Sequence, residues 1–175
     1  MRIPESRRGS AAADVVIGAA VIVFVILPLF AFIFEKYLIF NKAQIIKDAV
    51  DMTNISVYNA MNTGQLGKED IDIDTDKAMD IYKSLLAENL KLDESLLPLR
   101  DSLAEDRVCV KSLAVFSAGF PQTCPEGINI TRPTVHSVIS VPVRPSLYRR
   151  LILSKMGRQY VELEVHVDSE IPVNN

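Results

Sequence analysis

The residues best suited to chemistry are the two histidines, His136 and His166, in the C-terminal half of the chain. Glu164 and Asp168 flank His166 at alternate positions, and alternate positions of a strand share one face. Imidazoles and carboxylates on one face are the groups that bind a metal ion or act as a general base. Strand alternation alone also places polar residues on a solvent face, and the sequence lacks HExxH, CxxC and glycine-rich phosphate motifs. We therefore expect no catalytic residue, no metal site and no cofactor, and the chain is not expected to be an enzyme.

The two cysteines, Cys109 and Cys124, lie 15 positions apart. In an oxidising compartment they can form a disulfide that stabilises the folded state by about 3 kcal/mol, because the bond restricts the conformations of the unfolded chain. The alternative is a pair of free thiols, one of them buried. The disulfide is the favoured expectation.

The N-terminal part of the chain contains an apolar run over residues 15–34, which holds no charge in 20 residues. As a helix it spans about 30 Å, the hydrocarbon thickness of a bilayer. A purely cytosolic globular protein is therefore not expected. No second run approaches this length, so a polytopic channel or transporter is excluded as well.

The charges around the run predict its direction in the membrane. Arg2, Arg7 and Arg8 precede it, so the positive-inside bias places the N-terminus in the cytoplasm and the C-terminal domain outside. We expect a single-pass protein of the cytoplasmic membrane. The run is longer than the apolar core of a cleavable secretory signal, which disfavours that interpretation. The net charge of −3 gives no reason to expect a nucleic-acid partner.

The start of the run has a distinctive spacing: basic residues, then Gly9, then Ser10, then an acid, Asp14, four positions later. This order resembles the type IV prepilin signal, and it is most similar to TadE-like minor pilins or pseudopilins of tight-adherence (Flp-type) pilus systems. The resemblance covers about 30 residues, and the acid is Asp where the family usually has Glu. It implies that a prepilin peptidase cuts between Gly9 and Ser10.

The resemblance also implies a role for Asp14. Cleavage frees a positive amine on Ser10, and the carboxylate of Asp14 on a neighbouring subunit can pair with it inside an apolar helix bundle. The implied partners are the membrane, the peptidase and other pilin-like subunits. The alternative is that Asp14 sits at the membrane interface and caps the positive end of its own helix.

The pattern divides the chain into a basic leader (1–9), a transmembrane helix (10–40), a stalk helix (41–67) and an extracytoplasmic domain (68–175). Pro28 is expected to kink the first helix. Glycines at 64 and 67 are expected to end the second. Apolar residues at helical spacing predict the buried face of the stalk: Ile45, Ile46, Ala49, Val50, Thr53 and Val57.

The rest of the chain predicts a small α+β domain. Residues 68–76 are expected to form a solvated acidic loop; a calcium loop is the weaker alternative, because the EF-hand positions do not match. A helix is predicted over 76–90, a turn or a short helical piece over 92–103, a short helix over 146–156 and an exposed irregular loop over 117–133. Strands are predicted over 108–116, 134–143 and 160–168. We expect a mainly antiparallel sheet that packs on the stalk helix, a pilin-like arrangement.

The functional expectation is a structural minor pilin or pseudopilin that acts in assembly of a surface pilus or secretion apparatus. The alternative is an uncleaved, single-span envelope protein whose outer domain binds a partner. Loss of residues 1–9 from the mature protein distinguishes the two.

Overall fold

The computed structural model describes residues 8–62 and 75–171. The predicted leader residues 1–7, the helix-ending glycines and the acidic loop over 68–74 lie outside the described residues. The chain divides into two compact units, Met1–Ile39 and Phe40–Asn175. The fold class is α+β, as predicted: a long apolar N-terminal helix, a further helix and an antiparallel sheet.

The N-terminal helix has three parts. Helix α1 covers Arg8–Val21, a π-helical turn covers Ile22–Ile26, and helix α2 covers Leu27–Asn62. The apolar stretch over residues 15–34 is exposed except at Pro28 and Ala31, which are half-buried, and the helix is long and apolar enough to cross a membrane. Pro28 is the second residue of α2, two positions after the π-turn ends at Ile26. In an α-helix a proline ring clashes with the carbonyl group four residues earlier, here that of Phe24. The wider π-turn contains Phe24 and relieves this clash.

The part of α2 from Phe40 onward belongs to the unit Phe40–Asn175 and contributes to its core. Ile46, Val50 and Val57 are fully buried, as the helical spacing predicts. Ile45 was expected on the same face, but it is 55% exposed because it lies one residue, about 100° of rotation, away from Ile46.

Helix α3, Thr75–Leu90, supplies the second layer of the core and matches its predicted bounds closely. Its Tyr82 and Leu86 side chains are fully buried in the cluster that includes the buried residues of α2. The leucine-rich segment that follows is a turn, as expected, held by a bridge between Leu92 and Pro98.

A three-stranded antiparallel sheet completes the core. Its strands are β1 (Cys109–Phe116), β4 (Thr134–Val143) and β5 (Val161–Glu170), in the order β1-β4-β5. Strand β4 is central and buried along its whole length. Odd-numbered residues such as Ile139 and Val165 face the apolar core, so even-numbered residues of β4 and β5 face the other way.

Strand β1 departs from the simple alternation that its sequence predicts. The register shifts between Val110 and Ser112, which marks a β-bulge around Lys111. The extra residue brings Leu113 onto the core side with Val110, although alternation assigns them to opposite sides.

The connections between the strands of the sheet contain short elements of their own. The segment 117–133, predicted to be an irregular exposed loop, contains a small hairpin of β2 (Gln122–Thr123) and β3 (Asn129–Ile130). Helix α4, Leu147–Lys155, joins β4 to β5 where a short helix was predicted.

Candidate functional site

Three polar side chains meet on the sheet face that points away from the apolar core. His136 on β4 lies directly opposite Asp168 on β5, and its Nδ1 is 2.8 Å from Oδ1 of Asp168. His166, two residues before Asp168, places Nε2 3.0 Å from the other carboxylate oxygen. The same Nε2 atom is 3.2 Å from Nδ1 of His136. The antiparallel register of β4 and β5 therefore brings all three groups into mutual contact.

The hairpin between β1 and β4 adds a fourth group, the thiol of Cys124. A tight turn holds it: the Cys124 amide donates to the Ile128 carbonyl, and the Gly127 amide donates to the Cys124 carbonyl, both at 2.9 Å. Gly127 has φ +85°, a conformation that glycine adopts at little cost. The Ile128 amide donates to Sγ of Cys124 at 3.4 Å, which fixes the direction of the sulfur.

The four side chains form one cluster, which we call the CHHD cluster: Cys124, His136, His166 and Asp168. One ligand atom from each residue lies within 4.8 Å of those of the other three. A tetrahedral zinc ion bound at about 2.0–2.3 Å spaces its ligand atoms roughly 3.3–3.8 Å apart. The spread of the cluster fits a single four-coordinate ion.

Burial of the cluster is uneven. The side chain of His136 is fully buried and Cys124 is buried, whereas His166 and Asp168 retain 27% and 16% of their side-chain exposure. Nε2 of His136 has no hydrogen-bond partner within residues 8–62 and 75–171. The cluster is thus closed on its β4 side and reaches solvent on its β5 side.

A cleft of about 540 Å³ lies on that open side. Its walls come from α2, the β2–β3 hairpin and the edge strand β5, and His166 and Asp168 line it. Most of its other charged residues are acidic, Asp48, Asp51 and Glu170, against a single lysine, Lys47. A cation can approach the cluster through this cleft.

The predicted disulfide is not formed, because both cysteines are free thiols. Cys109 is exposed at the start of β1 and pairs with Ser140, whereas Cys124 lies beside His136. Four residues of extended strand separate Ser140 from His136, about 13 Å. A disulfide requires Cα atoms no more than about 7 Å apart, so the two cysteines stand at different places along the sheet.

Sequence reasoning placed Glu164 beside His166 and missed Cys124. Glu164 shares the face of His166, but it accepts a hydrogen bond from Lys111, and this interaction raises the pKa of Lys111. Nothing in the spacing of the sequence links Cys124 to a histidine on another strand. The available signal was the Cys-Pro-Glu-Gly turn, which predicts a reversal of the chain at Cys124.

The predicted processing residues, Gly9 and Ser10, both lie in α1, which is described from Arg8 onward. Asp14 lies in the same helix and is exposed. Both interpretations of Asp14, as a subunit-pairing acid and as an interfacial cap, stay predictions.

Comparison of the chain with protein-family models, with curated proteins and with solved structures finds no match in any of the three.

Proposed function

We propose that the protein is a membrane-anchored structural subunit, a minor pilin or pseudopilin of the TadE-like kind, that acts in assembly of a surface pilus or secretion apparatus. The observation that carries the proposal is Asp14, an exposed acid at the start of an exposed apolar helix. A carboxylate among lipid-facing residues is unfavourable unless it is paired.

Asp14 has no ion-pair partner among the residues that the structure describes. The resemblance to prepilin signals supplies one: the amine that cleavage after Gly9 would free on Ser10 of a neighbouring subunit. Such a pair also sets the axial register in which the helices pack, because a shift of either helix leaves two buried charges unpaired.

A second observation in keeping with the proposal is helix α2, which contributes both to the apolar stretch and to the core under the sheet. The unit that holds this core, Phe40–Asn175, is called the sheet domain below. In this proposal the N-terminus lies in the cytoplasm, the sheet domain lies outside, and the partners are a prepilin peptidase and other pilin-like subunits.

The test of the proposal uses crosslinking of subunits in membranes of the native host. Asp14→Asn should insert as well as the wild type but crosslink less to pilin-like subunits, and Asp14→Glu should retain crosslinking. Asp101→Asn, an exposed acid of the sheet domain, is the matched control and should behave as the wild type. Equal crosslinking of all four proteins would overturn the subunit-pairing role.

The second candidate, an uncleaved envelope protein that binds a partner, makes a different prediction. Mass spectrometry of the protein from its own host would then find residues 1–9 intact. Recovery of a chain that begins at Ser10 supports the pilin-like proposal and contradicts the alternative.

A further inference from the structure

We propose that the CHHD cluster binds one zinc ion, and that this ion ties the β2–β3 hairpin to strands β4 and β5. The proposal does not rest on the pilin-like function, because it concerns only residues of the sheet domain.

The donor atoms identify the class of ion. One sulfur, two imidazole nitrogens and one carboxylate oxygen form a mixed set that zinc accepts in tetrahedral geometry. Magnesium and calcium prefer oxygen ligands alone, so neither suits a set of this kind. With four protein ligands the site has the composition of a structural zinc centre.

The separations within the cluster are close to those around a bound ion and need only small side-chain rotations to match them. The contacts are 2.8 Å from His136 Nδ1 to Asp168 Oδ1, 3.0 Å from His166 Nε2 to Asp168 Oδ2, and 3.2 Å between the two nitrogens. An ion would take one of the two carboxylate oxygens, and these separations are within about half an ångström of tetrahedral spacing. The sulfur of Cys124 lies within 4.8 Å of the other three ligand atoms. An ion at their centre would draw the sulfur in and push the other three slightly apart.

The competing explanation is a hydrogen-bonded trio in which Asp168 accepts from both histidines. In that arrangement Nδ1 of His136 and Nε2 of His166 would each donate to one oxygen of the carboxylate. Oδ2 of Asp168 is instead buried without a hydrogen-bond partner among the described residues, although His166 Nε2 lies 3.0 Å away. An ion would bind this carboxylate together with the two nitrogens, and it also explains why a thiol from a separate hairpin is placed at the same point.

The hairpin needs an anchor of this kind. Strands β2 and β3 pair over only two residues each, and a short two-stranded hairpin is marginally stable by itself. Of its two isoleucines, Ile130 is buried but Ile128 is 48% exposed. A bond from Cys124 through zinc to β4 and β5 supplies the missing attachment.

The test is a cobalt titration of the full chain in detergent, after treatment with a chelator, because four-coordinate Co²⁺ gives visible bands and a thiolate charge-transfer band. We expect one Co²⁺ per chain, displaced by one Zn²⁺. Cys124→Ser should lose the charge-transfer band, whereas Cys109→Ser, the matched control, should keep it. Absence of stoichiometric binding, or an unchanged band in Cys124→Ser, would overturn the proposal.

A second pair of variants covers the case in which Cys124→Ser does not fold. His166→Gln changes a partly exposed ligand and should weaken Zn²⁺ binding more than about 100-fold, since loss of an outer-shell contact alone costs about 10–100-fold. Glu164→Gln lies on the same strand face and should bind as the wild type. Circular dichroism checks that each variant is folded, and equal affinity of the two would refute the site.

Hydrogen exchange gives a readout of the structural role. Zn²⁺ should slow exchange of the amides of residues 122–130 in the wild type and leave those of α3 unchanged. Unchanged exchange in the hairpin would show that the ion does not anchor it, and would overturn that part of the proposal.

Discussion

Asn54 on α2 and Ser169 on β5 are joined by a hydrogen bond of 2.9 Å, although 115 residues separate them in the chain. Asn54 is fully buried, and its amide group also lies 3.2 Å from the Val135 carbonyl oxygen and 3.4 Å from that of Val167. The hydroxyl of Ser169 in turn donates to Asp51, one helical turn before Asn54. This polar connection fixes α2 against two adjacent strands at one place along the sheet.

Asn54→Ala should lower the free energy of unfolding of the sheet domain by about 1–3 kcal/mol, because it removes a buried donor and leaves its acceptors without it. Asn59→Ala, at an exposed asparagine five residues further along α2, is the matched control and should change the free energy of unfolding little. Chemical denaturation in detergent, followed by circular dichroism, measures both. Equal stability of the two variants would show that the connection contributes nothing.

Stability should fall at high pH because of Tyr82. Burial raises its pKa to about 12 from the ordinary value of 10, and the nearby Ser137 hydroxyl lowers it by less. Between these values the unfolded chain loses the phenolic proton and the folded chain keeps it, so unfolding becomes easier as pH rises. The loss should reach about 2 kcal/mol by pH 12.

The variant Tyr82→Phe should abolish this part of the pH dependence, whereas Tyr160→Phe, at a partly exposed position, should retain it. Denaturation curves at several pH values above 9 provide the comparison. An identical slope of stability against pH in wild type and Tyr82→Phe would contradict the assignment.

The two thiols should react at different rates. Cys109 is exposed and should be labelled by a thiol reagent in the folded protein, whereas buried Cys124 should react only slowly. Unfolding without reductant should release two reactive thiols per chain, and Cys109→Ser should remove the fast one. Recovery of no reactive thiol in the denatured wild type would mean that a disulfide forms after all.

Cleavage of the leader should depend on Gly9. Gly9→Val should block it, because a peptidase subsite built around glycine has no room for a branched side chain. Gly18→Val is the control: a side chain at Gly18 meets nothing within 4 Å, so processing should proceed. The mass of the protein recovered from host membranes measures both, and normal cleavage of Gly9→Val would contradict the processing site.

The periodic elements of this fold could be predicted from the sequence because one residue spacing dominates in each. Strand β4 has the predicted bounds, and α3 differs from its prediction by one residue. The bulge at Lys111 could not be predicted, since it depends on how β1 pairs with β4. The same holds for the hairpin in 117–133, whose two-residue strands are too short to show a period.

The CHHD cluster could be predicted only in part. His166 and Asp168 share a strand face, so strand alternation brings them together. His136 joins them through the register of β4 with β5, and Cys124 through the path of the hairpin. Both depend on tertiary contacts between segments distant in sequence, which no local spacing records.

The π-turn at Ile22–Ile26 changes the rotation of the residues before it, around the helix axis, relative to the residues after it. A π-turn takes up about one residue more than an α-turn, and each residue advances the helix by about 100°. The side of the helix that carries Asp14 is therefore rotated by roughly that angle from where an uninterrupted α-helix would place it relative to Phe30. Deletion of one residue from the turn would restore the α-helical phase and turn the acid toward a different neighbour in a bundle, with the composition of the helix almost unchanged.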